Sequence, residues 1–256
     1  MSGGTQLPAV FWAHGNPLLT LSDNPYSRAW RALGARLQKP RAILVVSAHW
    51  VTDGVSAMSA EQPGMLHDFG GFPQVLYDLR YEPPGDPALA AWLGTHLGAR
   101  TDGHRGLDHG AWTILRHMYP QADVPVVQMS LDGTLPGAAH YALGTRLRPL
   151  RADGVLIIGS GNVIHNLSLY YGHRTSRQWM QVFEDRLRTH LAHGPIQPLF
   201  EPADLGPEGA LAAPTPEHYW PLLYVLGSRE DNEPLSFPAA GFEGGGISML
   251  SVLVGG

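Results

Sequence analysis

The 256-residue chain predicts an α/β fold: a single domain with a central mostly parallel or mixed sheet flanked by helices on both faces. Three observations carry this expectation. The strand-like runs are continuously apolar rather than alternating, as strands covered on both faces are. They alternate along the chain with segments patterned as helices. With 44% hydrophobic residues and no interior linker, the length suits one core spanning residues 1–256.

Taken in order, Ala9–Trp12 is the first apolar run. Pro25–Leu37 follows as a helix, with Asn24 as N-cap and Pro25 at the first helical position. Ala42–Ser47 is the second strand, and a less marked one covers Val55–Ser59. Asp86-Pro87 opens a helix to about Leu97, and Ala111–Met118 is the next, with Asp108 placed to cap it. The strands Val124–Met129, Gly154–Ile158 and Ile247–Val254 complete the sheet. Helical patterns at Pro136–Leu150, Ser176–Ala192 and Pro216–Leu226 lie around them. Two Pro/Gly-rich stretches, Glu61–Pro87 and Pro195–Pro216, are too long for ordinary connections and are candidate site loops.

Composition narrows the function. Seventeen Lys and Arg against 22 Asp and Glu leave a formal charge of −5, without the basic face that nucleic acid or an anionic membrane requires. The absence of Cys removes disulfides and thiolate metal sites, so a bound metal must use N and O ligands. No apolar run approaches the ~18 residues of a membrane span. The first residues carry no basic, apolar leader, so a cytoplasmic protein is expected. Gly 31 and Pro 22 together stay below the level of low-complexity sequence and belong to turns and site loops. The unusual number is His 13.

Ligands of open α/β sheets collect at the carboxyl ends of the strands. His14 ends the run from Ala9, His49 ends Ile43–Ala48, and His165 follows Val155–Ile158 after a Gly159-Ser160-Gly161-Asn162 turn. A single histidine at a strand end is usually a hydrogen-bonded core residue. Three delivered to one edge form a constellation, because converging neutral imidazoles without a metal would each need a separate partner. His218, in Pro216-Glu217-His218-Tyr219-Trp220-Pro221, is the fourth candidate, with Thr215 able to cap. At a helix mouth the dipole disfavours imidazolium, which suits ligation. A surface histidine on an amphipathic helix accounts for it equally well. His109 lies between glycines just before a helix, open to a ligand. His67, in a loop with Phe69 and Phe72, reads either as a cavity-rim residue or as part of a plain surface loop. For His96, His104, His117, His140, His173, His190 and His193 a solvated position is expected. Arg80, Arg105 and Arg174 are the candidates for holding a substrate carboxylate.

Several familiar chemistries are excluded by pattern. There is no His-Glu-x-x-His, and Pro214 occupies the first histidine position of the reversed protease motif. Ile158 and Asn162 flank Ser160 where a nucleophile elbow needs glycines. Ile164 replaces the third glycine of a dinucleotide turn.

Six blocks, in order, resemble the 4,5-DOPA extradiol dioxygenases, a group of the class III extradiol ring-cleaving dioxygenases. They are Ala13-His14-Gly15-Asn16-Pro17, Ser47-Ala48-His49-Trp50, His67 through Pro73, Gly106 through Trp112, Gly159 through Leu167, and Glu217-His218-Tyr219. Tyr77 through Gly85 also looks like a family segment.

The resemblance implies one mononuclear divalent metal per chain, with His14, His49 and His218 as protein ligands. It makes His165 either a further ligand or the acid–base residue, and His109 a second catalytic histidine that could hydrogen-bond oxygen or substrate; as cavity-rim residues of their loop, His67 and Phe69 are expected to bind substrate. The wider class supplies a glutamate as third ligand, whereas this chain offers His218 with Glu217 beside it. An all-imidazole set also suits zinc, so iron(II) is expected in catalysis and zinc in purified protein. The implied partners are a catechol, DOPA-like or otherwise substituted, and O₂, and a homo-oligomer is left open. In the implied reaction His165, with a pKa near neutrality, takes a hydroxyl proton, and His165 or His109 returns one. Two alternatives remain: a zinc-dependent hydrolase using the same histidines to activate water, and a non-catalytic Memo-like binding protein on the same scaffold.

Overall fold

The apolar runs form β1 (Ala9–Ala13), β2 (Ala42–Thr52), β3 (Ser56–Met58), β5 (Val126–Asp132) and β6 (Val155–Gly161), and the polar segment Arg100–Asp102 forms β4. Shorter strands follow: β7 (Leu235–Ser236), β8 (Phe242–Glu243), β9 (Ile247–Ser248) and β10 (Val252–Val254). The computed structural model describes residues 6–172 and 177–256. His173, Arg174 and the expected helix start at Ser176 lie outside them. Among the described residues one sheet has the strand order β4-β3-β5-β2-β6-β1-β10-β7, and β8 pairs with β9 apart from it. The four central strands β5, β2, β6 and β1 are mutually parallel. β10 is antiparallel to β1, and β3 is antiparallel to β5, so the sheet is mixed.

The helices are α1 (Pro25–Arg36), α2 (Gln74–Tyr77), α3 (Pro87–Leu97), α4 (His109–Met118) and α5 (Gly137–Ala152). Then come α6 (Leu167–Tyr171), α7 (Gln178–His193), α8 (Gly209–Ala212) and α9 (Trp220–Gly227). Asn24 and Ser27 form a reciprocal capping box on α1, Asp86 caps α3, and Asp108 caps α4 through the Ala111 amide.

Continuous apolarity has a direct structural reading. Ala9 and Phe11 of β1 face a core shared with α3, α5, α7 and α9, while Val10 and Trp12 face a second core with α1 and α4. All four are fully buried. Since burying a side chain the size of Val10 or Phe11 contributes about 1.5–3 kcal/mol, the doubly covered centre is a rigid floor for whatever stands at the strand ends.

Several expectations need correction. β2 continues to Thr52, and its register against β5 shifts between Val46 and Val51, so His49 sits in an irregular stretch of strand. Such irregularities re-aim side chains. Gly159-Ser160-Gly161 is the end of β6, not a turn. The expected strand Ile247–Val254 breaks in two because Met249 and Ser251 donate to Gly241 and Ala239 instead. α9 starts at Trp220 rather than Pro216, and Thr215 bonds Glu217 in place of capping. His140 is buried, stacked near Trp220 and bonded to Tyr224, because its face of α5 meets α9. Edge strands β4, β7 and β8 were not expected at all.

Candidate active site

Five histidines meet at the carboxyl edge of the parallel strands. His14 follows β1, His49 occupies the irregular part of β2, His109 begins α4, His165 follows β6, and His218 precedes α9. They line a cavity of about 350 Å³ together with Asn16, Phe69, Phe72, Tyr170 and Glu217, among others.

Three glycines make the convergence sterically feasible. A Cβ on Gly110 would stand 3.1 Å from His49 Cδ2 and 3.1 Å from the Ser160 hydroxyl. On Gly161 it would stand 2.1 Å from the His218 carbonyl, and on Gly159 2.4 Å from that of Pro221. The chain leading into α9 therefore lies directly on the end of β6, where the Asn162 amide donates to the His218 carbonyl at 2.9 Å.

The hydrogen bonds around the rings fix which nitrogen faces inward. The Ser160 hydroxyl donates to the Gly110 carbonyl at 2.7 Å. Its oxygen is then the acceptor for His14 Nδ1–H, 2.9 Å away. Asp68 Oδ2 lies 3.3 Å from His49 Nδ1, and Asp68 Oδ1 3.0 Å from His109 Nδ1. Glu217 Oε1 lies 3.1 Å from His218 Nδ1. A carboxylate only accepts, so it favours the proton on the nitrogen facing it. The Nε2 lone pairs of His14, His49, His109 and His218 are thus left free on the other side of each ring.

Two of those nitrogens face each other directly. His14 Nε2 and His49 Nε2 are 3.1 Å apart. Two nitrogens each about 2.1 Å from one ion at a right angle would be about 3.0 Å apart. His218 Nε2 is buried without a hydrogen-bond partner among the described residues. The ring centroids of His14, His49 and His218 are 4.9, 4.9 and 5.4 Å apart in pairs. His109 is as near, 4.0 Å from His49 and 5.5 Å from His14, and its donor atom groups with theirs. His165 stacks on His218 at 3.5 Å and groups with His218 and Glu217. The donor set fits a divalent metal: the imidazoles of His14, His49, His109 and His218 are each backed by an outer hydrogen-bond acceptor, as ligating histidines usually are.

Burial, then the neighbouring imidazoles, holds His14, His49 and His218 well below the usual imidazole range. All three are neutral, as ligation requires. Burial also lowers His165, to about 4, despite the opposing charge of Glu217. The near-neutral value expected for it does not hold.

Other expected residues are placed differently from one another. Phe69 lines the cavity. His67 stands behind it, packed against Phe69, Tyr77 and Trp112, and does not. Arg80 donates to the carbonyls of Tyr77 and Leu79. Arg105 reaches Asp108 and the His49 carbonyl and lies over Trp50. Neither arginine lines the cavity, and Arg174 is outside the described residues. Sequence reasoning missed Asp68 and Ser160, whose only signal was adjacency to a histidine or a glycine pair.

A mixed α/β sheet that gathers histidines into a donor cluster at its strand ends defines a metalloenzyme-like site. Residues 11–254 match the family described as the catalytic LigB subunit of aromatic ring-opening dioxygenase, and the chain belongs to that family. It is 45% identical to a 4,5-DOPA dioxygenase extradiol of Escherichia coli K12, over 98% of this chain and 96% of that one. A protein of the same name from Beta vulgaris is 37% identical, over 94% of each. A crystal structure of an uncharacterized protein from Escherichia coli K12 superposes with a TM-score of 0.85 at 41% identity, covering 98% of this chain and all of that one. The fold is that of the family, and the chain is an oxygenase of the ring-opening class.

Proposed function

We propose that the protein opens the ring of a catechol at the bond beside the diol, with both atoms of O₂ entering the product and no external reductant. The Nε2 atoms of His14 and His49, 3.1 Å apart with an acceptor held against the Nδ1 side of each ring, carry the reading. His14, His49 and His218 would hold one iron(II), and His109 stands close enough to share in the site. Bound there, iron(II) would supply the one-electron chemistry that ground-state O₂ needs, which zinc does not.

The chain's own residues do the rest. His165 is neutral near pH 7 and stacked on His218. It is therefore available as a base for a catechol hydroxyl proton, and the imidazolium formed is the acid that returns it. Glu217, at the same cluster, favours that imidazolium. His109, its Nδ1 held by Asp68, presents Nε2 to the cavity as the second proton-handling group. Phe69 and Phe72 give the catechol ring an apolar wall.

Reconstitution with iron(II) under argon, followed by a panel of catechols and air, tests this. About one O₂ consumed per ring opened, with a yellow product, is expected. Oxygen uptake absent with every catechol overturns it. Hydrolysis by zinc-loaded protein without oxygen would favour the hydrolase alternative.

A further inference from the structure

We propose that Asp68 is a positioning residue that sets the tautomers of His49 and His109 together, and so ties metal affinity to the loop that carries it. Asp68 lies between β3 and α2, in the long Pro/Gly-rich stretch, on neither histidine's element. Its carboxylate divides its work. Oδ1 accepts from the His109 backbone amide at 2.9 Å and from His109 Nδ1 at 3.0 Å. Oδ2 faces His49 Nδ1 at 3.3 Å. The side chain is only 16% exposed, so water does not readily replace it.

The neighbouring contacts keep that carboxylate in place. The Leu66 carbonyl, two residues earlier, accepts from Trp112 Nε1 at 3.1 Å. Phe69, one residue later, packs on His109, Trp112 and Tyr77. Loop and helix α4 are thus joined on both sides of Asp68. Both imidazoles must carry a proton on Nδ1 to meet an ionised carboxylate, and in the neutral ring that leaves Nε2 as the lone pair facing the cavity. One side chain therefore orients two rings delivered by a strand and a helix.

Asp68→Asn separates the two contacts. The amide oxygen stays with the two N–H groups of His109, which turns the NH₂ toward His49 Nδ1. His49 must then move its proton to Nε2, the nitrogen that faces His14. The proposal rests on His49 being a metal ligand, but its tests do not depend on catechol turnover. In the metal-free wild-type protein, ¹⁵N–¹H correlation spectra of the imidazoles should show Nδ1–H for His49 and His109. His49→Gln and His109→Gln assign the signals. In Asp68→Asn, His49 should change to the Nε2–H form while His109 does not. Zinc affinity, read by chelator competition, should fall about 10- to 100-fold. Asp185→Asn, on the exposed face of α7, removes the same charge and should leave both readouts unchanged. Nε2–H on either ring of the wild type overturns the proposal, whether or not the variant folds. So does an Asp68→Asn protein with unchanged tautomers and zinc affinity within threefold. Failure of every catechol to react, with these results as expected, would remove the dioxygenase reading and leave Asp68 in this role.

Discussion

Gly110→Ala offers a sharp test of how tightly the site is built. Gly110 is the second residue of α4 and has an ordinary helical conformation, so alanine is permitted by the backbone and favoured by propensity. In a helix interior the exchange gains up to about 1 kcal/mol, and less in a first turn. The new methyl would meet His49 Cδ2, Ser160 Oγ and Ser47 Oγ, each at 3.1 Å. Relief requires these groups to retreat by a few tenths of an ångström. His49 Cδ2 is bonded to Nε2, so the donor atom moves with it. Crowding of this kind costs on the order of 1–3 kcal/mol when it is not relaxed. The two effects nearly cancel in the fold but not at the cluster, because only the cluster depends on where Nε2 points. Urea unfolding of the metal-free variant should differ from wild type by no more than about 1 kcal/mol, whereas zinc affinity by chelator competition should weaken about tenfold, or about 1.4 kcal/mol. Unchanged affinity would show that the ring has slack, and the argument from steric necessity would fail.

Other perturbations have equally definite outcomes. His165→Gln should keep its metal, by elemental analysis, and lose turnover by roughly 10²–10⁴-fold, the contribution of one acid–base group; loss of metal would make it a ligand instead. His14→Ala should lose metal outright, and full occupancy would contradict the assignment. His140 tests the buried face of α5: burial lowers its pKa from 6.5 to about 4. The unfolded chain therefore binds the proton first as pH falls below about 6.5, so this group's share of stability is present above that pH and is lost toward pH 4. At pH 5 the loss is about 2 kcal/mol. The metal-free wild type should thus lose about that much more stability than His140→Gln between pH 7.5 and 5 in urea titrations, and parallel curves would refute it.

Legibility in the sequence followed the range of the interactions. The caps at Asn24 and Asp108 are local and form as read, and Asp86, read as opening its helix, caps it. The central strands announce themselves because each must satisfy two apolar layers. Two- and three-residue strands such as β4, β7 and β8 owe their pairing to partners elsewhere in the chain, and nothing local marks them. Gly159-Ser160-Gly161 reads locally as a turn because glycine signals either conformational freedom or close approach, and here it is close approach by His218 and by Pro221 in the first turn of α9. His140 reads as solvated because α5 is only weakly amphipathic, and its burial is decided by Trp220 and Tyr224 about eighty residues on. At the site the clustering of His14, His49, His109, His165 and His218 was legible, but the carboxylate orienting two of them was not. Asp68 sits beside the histidine that drew attention, and which of two adjacent side chains turns inward is settled by tertiary contacts.

The histidines that line the cavity run from position 14 to position 218, so the site exists only when nearly the whole chain has come together. An ion bound there is a brace on the global fold rather than on one lobe. Occupancy and resistance to unfolding then rise together by mass action, by RT ln(1 + [M]/Kd) for free metal M. In a cell, scarcity of the metal would register as a shorter-lived protein as well as an idle one.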